Sequence, residues 1–178
     1  MKLSSFEAIA KALGDAQLRY LIVDGLAVAA HGHGRATFDV DLVVQLQTEN
    51  VKRAMAVFDA LGYIPTVPVP AAQFADPARR EVWLREKNMV VFQLHSDRHR
   101  ETRIDLFVSE PFDFDTEYDQ AMIGELAPGL RTRFVKLETL IRMKETAGRE
   151  KDKEDVRQLR LLQQGSKSVV SQRYGNRI

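Results

Sequence analysis

Chemistry first becomes visible in this sequence at Asp39-Val40-Asp41. The run Thr37 to Val44 alternates: Phe38, Val40, Leu42 and Val44 fall on one face of an expected strand, and Asp39 and Asp41 on the other. Carboxylates at i and i+2 on a strand stand about 7 Å apart at their Cα atoms. Two like charges ~4 Å apart repel by about 4 kcal/mol at an effective dielectric of 20. A divalent cation between them removes that repulsion, and hard carboxylate oxygens are what Mg²⁺ takes while keeping its other positions for water and phosphates. Asp105 faces away from Ile104, Leu106 and Val108 in a second expected strand, Thr102 to Val108, and is the acid on that face. It joins the pair if the two strands are neighbours. The plainer reading is that these acids simply face water.

The elements that must position these acids follow from periodicity. Residues 4–17 carry Phe6, Ile9 and Leu13 at helical spacing. Tyr20 to Val23 reads as a buried strand, broken at Asp24-Gly25. Leu26 to His31 is a short helix stopped by Gly32-His33-Gly34. A strand that enters a helix through a glycine turn presents free N–H groups, which can hold phosphate without a lysine. Thirteen residues separate Gly25 from Asp39, enough to bring that turn and the acids to one cleft. Glu49 to Leu61 is a further helix, and residues 65–80, with four of the six prolines, form a loop. Glu81 to Arg85 and Met89 to Leu94 read as paired strands, with Trp83 and Phe92 as core residues. Leu137 to Ala147 and Asp152 to Leu162 are helices around Gly148-Arg149-Glu150-Lys151.

This order predicts an α/β (α+β) fold with a mixed β-sheet flanked by helices. We divide the chain into an α/β core over 1–130, a basic helical segment over 131–164 packed on it, and a polar tail over 165–178. Overall charge is +1, yet residues 1–130 hold 13 basic and 19 acidic groups and residues 131–178 hold 13 and 6. The basic end is the place to expect contact with phosphate or nucleic acid. The absence of cysteine excludes disulfides, thiolate metal sites and thiol nucleophiles. No apolar run reaches the roughly 18 to 20 residues of a membrane span. The acids Glu7 and Asp15 argue against a signal peptide, so a cytoplasmic location is expected.

The ordered combination LIVDGLAVAAHGHGRATFDVDLVV, then Asp105, then LETLIRMKETAGREKDKEDVRQL resembles the nucleotidyltransferase superfamily built on the polymerase-β catalytic domain. It looks most like the bacterial branch of AbiEii-type toxins and small stand-alone enzymes. The resemblance covers roughly 18–45, 100–108 and 136–160. It implies Asp39, Asp41 and Asp105 as catalytic and metal-binding residues, and Gly25, Arg35, Thr37, Lys144, Arg149 and Asp152 as nucleotide-binding residues, with Asp155 also on the pattern. It further implies Mg²⁺ (or Mn²⁺) as cofactor and transfer of an NMP from an NTP to a hydroxyl, with release of pyrophosphate. The acceptor would be a tRNA or other RNA end, or a protein side chain, and an antitoxin-type partner protein is expected for toxin-like members. One departure stands out: the family's turn has Gly where this chain has Asp24. Aspartate favours the N-cap position, where its carboxylate takes the helix N–H groups that a phosphate would need.

Several of these residues admit a bland reading as well. Arg35 either contacts triphosphate or closes its turn on carbonyls. Lys144 either reaches a β- or γ-phosphate as a flexible point charge or is one more solvated cation. Asp152 opens a helix, so capping accounts for it as well as catalysis does, and Asp155 has Arg149 or Lys151 as ordinary partners. His31 and His33 lack a third ligand and read as loop or helix-end residues. The functional alternatives to the enzyme are a lapsed nucleotidyltransferase-fold binding module and a toxin–antitoxin component acting through a partner.

Overall fold

The computed structural model describes residues 1–34 and 36–174, the side chains of 166–174 excepted. Arg35 and the end of the expected polar tail therefore lie outside the described residues.

A seven-stranded mixed sheet in the order β3-β4-β5-β2-β1-β7-β6 forms the body of the molecule. Its strands are β1 (Tyr20–Ile22), β2 (Asp39–Val44), β3 (Tyr63–Pro65), β4 (Val91–Ser96), β5 (Arg103–Phe107), β6 (Met122–Ala127) and β7 (Leu130–Phe134). The helices are α1 (Leu3–Asp15), α2 (Asp24–Ala30), α3 (Thr48–Ala60), α4 (Pro77–Lys87), α5 (Phe114–Asp119), α6 (Leu137–Ala147) and α7 (Glu150–Tyr174), and Ala71–Ala75 makes a 3-10 turn. The expected mixed α/β architecture is what the chain adopts. The strand β7 spans the expected division at 130/131 and lies inside the sheet.

The centre of the sheet is where the sequence pattern is cleanest. Val40, Leu42 and Val44 of β2 and Ile104 and Leu106 of β5 are fully buried, as the alternation requires. These two strands run parallel and pair Val40 with Ile104, Asp41 with Asp105 and Leu42 with Leu106. β1 lies antiparallel on the other side of β2, with Ile22 opposite Leu42. The apolar faces of α1 and α3, carried by Ile9, Leu13, Val51 and Phe58, are fully covered and belong to the same core.

Four expectations are corrected. Glu81 to Arg85 is not a strand but the middle of α4. The Asp76 side chain caps that helix by accepting from the Ala78 N–H, and Pro77 occupies its first turn, the position where a missing N–H costs nothing. Residues 65–80 are not all loop, since they include the 3-10 turn and the start of α4. Phe38 is 66% exposed; β2 begins only at Asp39, so residue 38 lies beyond the paired edge and has no partner face to pack on. Trp83 and Phe92 are core as expected, their rings stacked with centroids 5.2 Å apart. The helix expected to end at Leu162 continues to Tyr174.

Candidate active site

Two adjacent parallel strands bring the three acids together. With strands about 4.8 Å apart, the register pair Asp41–Asp105 puts two carboxylates on one face, and Asp39 follows two residues away. The expectation that Asp105 joins Asp39 and Asp41 thus rests on an observed strand pairing. Burial raises the Asp41 carboxyl to about 8, and the charges of Asp24, Asp105 and Asp39 add to the rise while Lys144 opposes it. Asp105 is raised as well, first by burial, against the hydrogen bond from Gln93.

Neighbouring side chains hold two of these acids. Arg103 donates from Nε to Asp39 Oδ1 at 2.9 Å, across the register pair Asp39–Arg103. Gln93 on β4 donates from Nε2 to Asp105 Oδ1 at 2.9 Å. Both escaped the sequence reading, although period two already puts residues 103 and 105 on one face. Gln93 was hidden because its strand was recognised only through its apolar members.

Asp24, Asp41, Asp105, Lys144 and Arg149 line one cavity of about 910 Å³, whose walls include Val90, Phe107, Phe112 and Met143. That volume suits a nucleotide-sized ligand. Gly25 is buried in the first turn of α2, at the end of β1. Thr37 is half-buried and donates from Oγ1 to the Asp39 carbonyl at 3.4 Å. His31 ends α2 and bonds through Nε2 to the Val135 carbonyl at 2.8 Å, which tethers the helix to the strand-end of β7 and matches its reading as a helix-end residue.

Lys144 is neither flexible nor solvated. It is 3% exposed and its ammonium contacts carboxylates of Asp24, Asp152 and Asp155, the last two at 3.0 Å. The sequence placed this lysine correctly on its helix, but an amphipathic pattern cannot show that α7 supplies two acids to it. Burial alone would lower the Lys144 amine, yet Asp24, Asp155 and Asp152 raise it. Burial alone would raise Asp152, but Arg149 and Lys144 bring it down to about 2. Asp152 also accepts from the Arg149 backbone N–H at 3.2 Å, so its capping role and its ion pairs coexist. The oxygens of Asp24, Asp152 and Asp155 lie within 4.8 Å of one another. Among the described residues, Asp39, Asp41 and Asp105 do not gather that tightly. Lys144 and Arg149 already ion-pair with the deeper acids, and on the sheet face Arg103 pairs with Asp39.

Asp24 does not serve as the N-cap of α2; that position is Val23. Its backbone is left-handed at φ 48°, and its carboxylate turns to Lys144 and to Arg149 Nη2, the latter at 3.1 Å. Burial would raise this carboxyl, and the two cations hold it below its ordinary value.

Solved structures share this arrangement of elements. ANT(2″)-Ia in complex with adenylyl-2″-tobramycin superposes with a TM-score of 0.53 at 16% identity, over 94% of this chain and 98% of that one. The lincosamide antibiotic adenylyltransferase LnuA, bound to lincomycin, gives 0.52 at 11%, over 84% and 90%. An antigenic nucleotidyltransferase-like protein from Paracoccidioides brasiliensis gives 0.52 at 16%, over 90% and 74%. The fold is a nucleotidyltransferase fold. No protein-family model matches the sequence, and no curated protein matches it; at these identities the likeness concerns the fold. Within this fold, Asp39, Asp41 and Asp105 lie on two neighbouring central strands, and Asp41 and Asp105 line the cavity. No helix among the described residues is long and apolar enough to cross a membrane.

Proposed function

We propose that the chain is a Mg²⁺-dependent nucleotidyltransferase, moving an NMP from an NTP to a hydroxyl acceptor with release of pyrophosphate. The observation that carries this reading is the register pair Asp41–Asp105 with Asp39 beside it, facing a cavity that Lys144 and Arg149 also line. All-oxygen donors on a rigid sheet suit Mg²⁺ (or Mn²⁺), and the raised carboxyls of Asp41 and Asp105 mark a site short of positive charge. Asp39, Asp41 and Asp105 would hold the ion, which when bound would offset the triphosphate's charge and favour ionisation of the acceptor hydroxyl.

The protein's own share is placement. β2 and β5 fix the acids through backbone pairing, Gln93 fixes the side chain of Asp105, and Arg103 pairs with Asp39 as the cation that a bound metal would displace. Arg149, half exposed, is available to the triphosphate, with Lys144 behind Asp24 supplying charge at the same end. Gly25, Thr37 and Arg35 belong to the segment between β1 and β2 and complete the expected nucleotide contacts. In-line attack then draws its acceleration from positioning and charge neutralisation.

The order Lys144, Arg149, Asp152, Asp155 supports the toxin-like branch, and with it a cytoplasmic protein acting on tRNA, RNA or a protein side chain under an antitoxin-type partner. The apolar cavity wall also suits a small hydroxylated acceptor. The test is transfer of label from α-³²P NTPs, with Mg²⁺, to an RNA pool, a protein extract and a panel of small polyols. The wild type should label one class and Asp39→Ala none, with its fold retained. Full activity in Asp39→Ala would sink the assignment. The second reading, a binding module that has lost turnover, draws its support from Asp24 on the two cavity cations. It predicts no labelling by the wild type under any metal condition.

A further inference from the structure

We propose that Asp24 is an affinity-determining residue at the polyphosphate end of the cleft, an internal anion that an incoming polyphosphate must displace from Lys144 and Arg149. This rests on the reading of the cleft as a nucleotide site. Asp24 bridges two cations from separate parts of the chain, Oδ1 to Lys144 Nζ and Oδ2 to Arg149 Nη2. That is how a phosphate with two free oxygens engages a lysine and an arginine. All three residues line the cavity that contains Asp41 and Asp105. Asp24 is 18% exposed at its side chain, whereas the other two carboxylates on Lys144, Asp152 and Asp155, are 0% and 2% exposed. Asp24 is thus the partner on the cavity side. When a phosphate oxygen replaces it, Lys144 keeps two carboxylates and Arg149 keeps Asp152, so the exchange strands neither cation.

The backbone does not require an acid at this position. At φ 48°, asparagine and glycine are at least as well tolerated as aspartate. The carboxylate also works against the rest of the site, since its charge is one of those that raise Asp41 and Asp105. Its position is accounted for by the two cations it holds.

The experiment is titration calorimetry at fixed ionic strength with two probes: inorganic tripolyphosphate without metal, and each NTP with Mg²⁺. The proteins are wild type, Asp24→Asn, Asp24→Gly and Asp113→Asn. Asp113 lines the same cavity but caps α5, a role that asparagine also fills, so it controls for simple loss of negative charge. Thermal melts confirm that each variant is folded. We expect both Asp24 variants to bind tripolyphosphate at least tenfold more tightly than wild type, and Asp113→Asn to stay within threefold. Equal or weaker binding by the Asp24 variants overturns the proposal, as does an equal gain in Asp113→Asn. If the Asp24 variants gain tripolyphosphate affinity while no protein binds any NTP with Mg²⁺, the proposal stands and the nucleotidyltransferase reading falls. If NTPs bind wild type and Asp24 variants alike, the proposal falls and that reading stands.

Discussion

Asp41→Asn should stabilise the metal-free protein, and the gain should depend on pH. The Asp41 carboxyl rises from an ordinary 3.8 to about 8 because it is buried among Asp24, Asp105 and Asp39. An acid whose pKa is raised on folding costs nothing at low pH, where both states are protonated. Above pH ~4 the unfolded chain ionises and the folded one does not, so stability is lost steadily until pH ~8, where the cost is complete. At 1.36 kcal/mol per pH unit the ceiling is about 5–6 kcal/mol. The cleft is open to water and Asp41 is only half-buried, so we expect about half of that, roughly 2–3 kcal/mol. For a chain of this size this corresponds to about 5–10 °C in Tm. The assay is a set of thermal melts in EDTA at pH 4, 6 and 8. Wild type and Asp41→Asn should nearly coincide at pH 4 and separate progressively toward pH 8. Adding Mg²⁺ at about 100 Kd should then stabilise the wild type by about 2.7 kcal/mol and the variant by much less. If Asp41→Asn is no more stable than wild type at pH 8, or is equally more stable at every pH, the charge-crowding argument is wrong.

Three further outcomes follow from named contacts. Lys144→Met leaves Asp24, Asp152 and Asp155 without the ammonium they share, and urea denaturation should show a loss of about 3–5 kcal/mol; a loss under 1 kcal/mol contradicts the cluster's structural role. Gly124→Ala on β6 puts a Cβ 2.6 Å from the buried Phe134 ring, which should cost about 1–3 kcal/mol in the same assay, whereas Gly129→Ala is strained by its backbone at φ 80° and not by any neighbour within 4 Å. Arg103→Ala removes the cation from the exposed Asp39 pair, so stability should change by less than about 1 kcal/mol while calorimetry shows severalfold tighter Mg²⁺ binding; weaker Mg²⁺ binding would mean that Arg103 organises the metal site instead of competing for it.

The parts of this molecule that were legible in the sequence are those with a clean period. Alternation in 39–44 and 103–107 gave the two strands and the face of each acid, and the strands prove to be neighbours. Phe38 shows where alternation stops being informative: the pattern runs on, but pairing begins one residue later. Helix α4 was misread because EVWLREK has too few apolar residues to show a helical face. Its better signal was Asp76-Pro77, an N-cap followed by a first-turn proline. The hairpin β6–β7 was missed because β6, at the sheet edge, buries no residue fully and β7 buries only Thr132 and Phe134, so the pair carries little apolar pattern, although Pro128-Gly129 marks its turn. The charge relations of Asp24 and Lys144 were out of reach, since they depend on residues 120 positions apart that only tertiary packing brings together. Asp24 drew attention in the sequence because it replaces a small residue at the turn, and the structure supplies its partners.

The most direct test of the account is calorimetric titration of the four NTPs into the wild type and Asp105→Asn, each with Mg²⁺ and with EDTA. Binding of an NTP by the wild type only in Mg²⁺, lost in Asp105→Asn, is the predicted result. Binding that ignores Mg²⁺ or survives Asp105→Asn unchanged would contradict the assignment of Asp39, Asp41 and Asp105 as a metal-dependent nucleotide site.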